Sequence, residues 1–185
     1  MRAWIKLASL LVLTSTASMA QHSDSPAKRE PTAGFTLTTS TFAPGAAIPD
    51  RHTCKGEDLS PTMQWREAPA KTVVFAIVMD DPDAPSGVWV HWVLWNVPRE
   101  TTSLREGISK NDQLEDGSQQ GRNSFGKIGY NGPCPPPGQT HRYFFRLYAL
   151  NVKLGLSADA DRAQLDTAMK GHVLAQTEYM GTFHR

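Results

Sequence analysis

Val73-Val74-Phe75-Ala76-Ile77-Val78-Met79-Asp80-Asp81-Pro82-Asp83-Ala84-Pro85 is the stretch that decides the fold. Its first seven residues are apolar without a break, the pattern of a strand buried on both faces. It then turns abruptly polar and rigid. Pro82 fixes its own φ and pushes Asp81 towards an extended conformation, so the two flanking carboxylates are presented in a set geometry. Two further runs read as strands: Val88 to Val97, rich in β-branched and aromatic residues, and Arg142 to Leu150. Phe35-Thr36-Leu37-Thr38-Thr39 is a β-prone start, and Met63-Gln64-Trp65 precedes a turn at Pro69-Ala70. Between Arg99 and Asn131 the chain is polar and rich in Gly, Gln, Asn and Ser. It reads as a long functional or flexible loop inside one domain, because strong strands flank it. The end reads as helical: Ser157 as cap, Asp159 and Asp161 in the first turn, then Leu165, Met169, Val173 and Gln176 at helical spacing, interrupted by Gly171. Several strands and one late helix predict a mainly β fold, a β-sandwich with a peripheral C-terminal helix.

The first 20 residues have the layout of a secretory signal peptide. Arg2 and Lys6 supply the charge, Leu7 to Leu13 the apolar core, and Ser18-Met19-Ala20 the small-residue cleavage site. Residues 21–33 are polar, hold Pro26 and Pro31, and read as a disordered linker. Residues 34–185 are long enough for one domain with a real core. The expected location is the periplasm or the extracellular space, with no stable membrane anchor.

The chain carries 19 basic and 18 acidic residues; removing Arg2 and Lys6 with the leader leaves 17 against 18. That balance gives no bulk attraction for nucleic acid or an anionic membrane. Cys54 and Cys134 are the only cysteines. Export favours a disulfide between them, with two separate buried thiols as the other reading.

Residues able to carry chemistry cluster where strands meet turns. Asp81 and Asp83 flank Pro82. By period two, Trp89, His91, Val93 and Trp95 share one face, and His91 follows Asp83 closely enough to meet a carboxylate. Such a neighbour favours imidazolium, whereas burial opposes it. His141 and Tyr143 share a face with Phe145, while Arg142 and Arg146 point the other way. Gly132-Pro133-Cys134-Pro135-Pro136 before them is a stiff loop whose glycine allows backbone N–H groups to face a ligand. Two Asp and two His suit a divalent metal by type, but their spacing matches no recognised metal motif. There is no Gly-x-Ser-x-Gly elbow for a serine hydrolase and no glycine-rich nucleotide loop, so no enzyme and no cofactor is expected.

At these residues the chain resembles the phosphatidylethanolamine-binding protein family, in its bacterial Raf-kinase-inhibitor-like branch. Cys54-Lys55-Gly56-Glu57-Asp58-Leu59-Ser60-Pro61, Asp81-Pro82-Asp83-Ala84-Pro85, Val90-His91-Trp92, Gly129 to Pro136 and His141-Arg142-Tyr143 carry the resemblance. It implies an antiparallel β-sandwich with a small anion pocket lined by Asp81, Asp83, His91, His141 and Tyr143, with Gly132 and Pro133 in its wall. It implies a non-enzymatic binding protein for phosphate-type anions or phosphoethanolamine headgroups. The partner is then a small anionic or zwitterionic ligand, with a protein target as a further expectation. The alternative is an inhibitor of a protease or kinase acting through surface loops, chiefly residues 99–131.

Overall fold

The computed structural model describes Met1 and residues 34–185. Met1 aside, the expected signal peptide at 1–20 and linker at 21–33 lie outside the described residues. In chain order the strands are Thr36–Thr38 (β1), Met63–Arg66 (β2), Val74–Asp81 (β3), Trp89–Pro98 (β4), Ser103–Leu104 (β5), Gln119–Gln120 (β6) and Thr140–Leu150 (β7). The helix Arg162–Met169 (α1) and the strand Val173–His184 (β8) follow.

All eight residues of β3 are buried, as its apolar run predicts. β3 is the middle of a five-stranded sheet ordered β6-β4-β3-β7-β8, and β1-β2-β5 forms a second, three-stranded sheet. Every strand pair is antiparallel. The small sheet supplies Leu37, Met63, Trp65 and Leu104 to a core shared with Ile77, Met79, Leu94, Phe145 and Leu147 of the large sheet. The opposite face of the large sheet packs Val74, Ala76, Val78, Val93 and Trp95 beneath Leu154, Ala160, Leu165 and Met169. β3 therefore feeds both cores by strict alternation. That parity sends Asp81 to the sandwich face, with Phe75, Ile77 and Met79, and Asp80 to the helix face.

Two expectations are corrected. Met79 lies opposite Trp92 but Asp80 lies opposite Val90, so His91 is the extra residue of a β-bulge. Val93 and Trp95 belong to the helix-side cluster, whereas His91 sets its ring edge-on to Tyr143 of the sandwich core, 5.2 Å between centroids. The common face expected for Trp89, His91, Val93 and Trp95 is broken by that inserted residue.

The helix is shorter than its spacing predicts. Its cap is Asp161, not Ser157: the Asp161 side chain accepts from Gln164 N–H, and the Gln164 side chain accepts from Asp161 N–H. Gly171, at φ +79°, takes the left-handed conformation that ends the segment. Val173 and Gln176 then sit in β8, opposite Leu150 and Tyr148 of β7. Pairing along the whole length of β7 claims the last two of the four residues at helical spacing, while Leu165 and Met169 remain in the helix.

Residues 99–131 carry internal hydrogen bonds and the short strands β5 and β6. The buried Gln120 side chain accepts from Trp92 Nε1 at 2.7 Å and donates to Ser109 O and Asn111 O at 2.7 and 2.6 Å. Part of the polar composition here serves internal hydrogen bonding.

Candidate functional site

Asp81 ends β3 with its side chain buried at the rim of the sandwich core, 3% exposed. Its Oδ1 accepts from Asp83 N–H at 2.8 Å, closing the turn around Pro82. Its Oδ2 accepts from His141 Nδ1 at 2.7 Å. His141 is equally buried, and its Nε2 lies 3.0 Å from the Gln139 side-chain oxygen. A carboxylate and an imidazole buried together hold each other in one geometry and leave neither without a partner.

Tyr143 lies two residues along the same face of β7. Its hydroxyl is buried and makes no hydrogen bond among the described residues. Asp81 and the Cys134 backbone both lie close enough to act on its ionisation, Asp81 raising it and Cys134 lowering it, but neither contact meets hydrogen-bond distance and angle. Burial, then the Asp81 charge, push its ionisation well above the ordinary phenol range, so the group remains an O–H donor.

His91 donates Nδ1–H to the Asn131 carbonyl at 2.7 Å. Burial is the largest influence and lowers its pKa below the ordinary 6.5, against the opposing pull of Asn131 and of the Asp81 charge. The ring is thus neutral at pH 7 with its lone pair at Nε2. The carboxylate contact expected for His91 is made by His141 instead, because the bulge turns His91 towards Tyr143 and the Asn131 loop.

Asp83 also departs from expectation. Its Oδ2 accepts from Arg142 N–H and Nε, both at 2.9 Å, and its Oδ1 from Arg142 Nη2 at 2.6 Å. This forked contact holds the carboxyl at a pKa of about 2. Asp83 is therefore committed to Arg142 and offers little to a cationic ligand.

The wall is built by two segments distant in sequence. Gly132 N–H donates to Asp58 Oδ1 at 2.6 Å, and a Cβ on Gly132 would lie 2.1 Å from His52 O, so only glycine fits. Pro133 O accepts from Cys54 N–H at 3.1 Å, and Tyr130 donates to His52 O at 2.7 Å. Cys54 and Cys134 are joined in a disulfide with their Cα atoms 5.4 Å apart. Asp58 Oδ2 takes Asn131 Nδ2 and Lys110 Nζ. At the outer edge, the Phe125 ring lies 5.3 Å from His91 and 5.4 Å from Trp89.

The structure thus gathers Asp81, His141, Tyr143 and His91, with Gly132 and Pro133 behind His91 through Asn131. Asp58, Asn131, Gln139 and Phe125 were not singled out from the sequence. Asp58 stands inside the Cys54 to Pro61 motif, and Phe125 is the only aromatic residue between Arg99 and Ile128; these were the available signals. Among the described residues no three His, Cys, Asp or Glu side chains converge in a way that would hold a metal ion.

A two-sheet β-sandwich with a buried Asp-His-Tyr cluster at one end of its larger sheet is the class that fold and site define. Residues 38–184 match the model of the phosphatidylethanolamine-binding protein family, and the chain belongs to that family. It is 46% identical over 149 residues to the UPF0098 protein of Methanothermobacter thermautotrophicus, covering 80% of this chain and 98% of that one. It is 44% identical over 147 residues to the UPF0098 protein of Aquifex aeolicus, covering 78% and 85%. The fold matches the crystal structure of CT736, a phosphatidylethanolamine-binding protein homologue of Chlamydia trachomatis, with a TM-score of 0.76 and 34% identity over 83% of this chain and 99% of that one. It also matches E. coli YbcL, described as a member of the mammalian family, with a TM-score of 0.78 and 31% identity over 83% and 99%.

Proposed function

We propose that this chain is an exported, non-enzymatic binding protein, periplasmic or secreted, whose Asp81–His141–Tyr143–His91 cluster takes a phosphate-type anion or a phosphoethanolamine headgroup. The observation that carries the reading is the Tyr143 hydroxyl, a buried donor with no acceptor among the described residues. Buried polar groups are normally satisfied, so an unpartnered donor marks the place where an acceptor atom belongs. Neither carboxylate is left without a partner, because Asp81 is hydrogen-bonded to His141 and Asp83 is ion-paired with Arg142. That same pairing leaves little for an ammonium group to gain. The phosphate carries the recognition and the ethanolamine adds little.

Titration with O-phosphorylethanolamine and with inorganic phosphate, followed by backbone amide shifts, tests this. Saturable shifts at Asp81, His91, Gly132 and Tyr143 are expected, with affinities for the two ligands within a few-fold. Tyr143→Phe, which removes only the oxygen, is expected to weaken both by about tenfold, the loss of a hydrogen bond to a charged group. A folded Tyr143→Phe protein that binds as the parent does would refute the assignment.

A further inference from the structure

On the helix side of the large sheet, behind the Asp81 cluster, lies a cleft of about 760 Å³. Its floor is Asp80, 4% exposed. Asp80 accepts from Arg146 Nε at 2.9 Å and Nη2 at 3.3 Å, and from Arg162 Nη1 at 3.2 Å. The remaining acids nearby are also engaged: Asp166 by Arg162 at 2.8 Å, Glu178 by Arg146, and Asp161 in the helix cap. The lining carries three arginines against three aspartates, so bulk charge selects nothing.

What remains unspent are donors. The Tyr148 hydroxyl accepts from Arg162 Nη2 at 3.4 Å, and its own proton has no acceptor among the described residues. Ser124 Oγ accepts from Val90 N–H at 2.9 Å and keeps its proton. The guanidinium of Arg122, exposed at the rim, donates to Gly126 O at 3.2 Å and has no carboxylate partner among the described residues. The lining also carries apolar residues, Pro82, Val90, Ala163 and Val88, the last 62% exposed. A planar guanidinium edge matches a carboxylate through two parallel hydrogen bonds.

We propose that this cleft is a second ligand site, separate from the Asp81–His141 cluster, for a small molecule with one carboxylate and a short apolar body. The carboxylate lies on Arg122 and the Tyr148 and Ser124 hydroxyls, and the apolar body lies on Val88, Val90 and Pro82. The volume falls within the range of about 300–1,000 Å³ usual for small-molecule sites.

The probe is hexanoate, with hexylamine and hexanol as charge controls, titrated into the protein as isolated from expressing cells and read by amide shifts. Hexanoate is expected to give saturable shifts at Val88, Val90, Arg122 and Ala163, and hexylamine none. Arg122→Glu is expected to weaken hexanoate by about tenfold or more, and Ala163→Trp, which fills the cleft from an exposed position, to abolish it. O-phosphorylethanolamine should leave these shifts unchanged whether or not it binds elsewhere. The proposal is overturned by equal shifts from hexanoate and hexylamine, by absence of saturation up to about 50 mM, by parental affinity in the two folded variants, or by displacement with O-phosphorylethanolamine.

Discussion

His91 is 2% exposed, its Nδ1–H rests on the Asn131 carbonyl, and burial holds its pKa below 6.5. The unfolded chain titrates this group near 6.5. Between the folded and unfolded values the unfolded state holds more protons, so stability rises with pH across that window. This contribution is complete above pH 6.5 and is lost as the pH falls from 6.5 towards the folded pKa. His91→Phe is therefore expected to lose less stability than the parent on going from pH 7 to pH 5, measured by urea midpoints. The His91 Cε1–H resonance should titrate below 6.5 in the folded protein; a midpoint at or above that value contradicts the account. Such a state was not legible from sequence. The spacing of Asp83 and His91 suggested a carboxylate neighbour, and only the bulge decides that His141 takes it.

The elements were readable where burial dictates composition. β3 is apolar throughout because both its faces are covered. β7 alternates at its start, with His141 and Tyr143 inward and Arg142 outward, because one face meets solvent there. β8 was hidden because its residues mix polar and apolar in a way that also fits a helix, and only the open edge of β7 resolves the ambiguity. The Gly132 loop was recognisable as stiff, but its tie to Asp58 and His52 joins residues more than seventy positions apart and leaves no local trace. Its energetic weight is testable. Gly132→Ala forces a methyl group against the His52 carbonyl, a backbone atom that cannot swing aside. Overpacking of this kind costs about 1–3 kcal/mol. The urea midpoint should fall accordingly, and phosphate affinity with it, because the same loop holds Asn131 on His91. A variant with the parental midpoint would show that the two segments do not bear on each other.

At the scale of the molecule, two cores share one sheet, and a single covalent link closes a separation of 80 residues. The link joins the 50–59 segment to the wall of the candidate site, so it constrains the unfolded chain and the site together. A loop of that length is worth roughly 4 kcal/mol in the chain-entropy model. The Cys54→Ser, Cys134→Ser double variant is expected to lose up to that amount in equilibrium unfolding. A loss below about 1 kcal/mol would mean that the hydrogen bonds around Asp58 and Tyr130 already fix the two segments. The pairing was legible from the count of cysteines and the signs of export, whereas the depth of the contact was not. Finally, Asp80 and Asp81 are consecutive residues that serve opposite sides of the sheet. β3 thus has something like a reading frame. Inserting one codon between Val74 and Met79 would set Asp80 before His141 and carry Asp81 one step past the strand end, whereas deleting one would set Asp81 among the arginines of the helix side and Asp80 in the sandwich core. Either frame error would leave one of the two sides without its acid in one step. Changes of length are therefore expected to be tolerated in the turns on either side of β3 and not within it, while substitutions within it stay local.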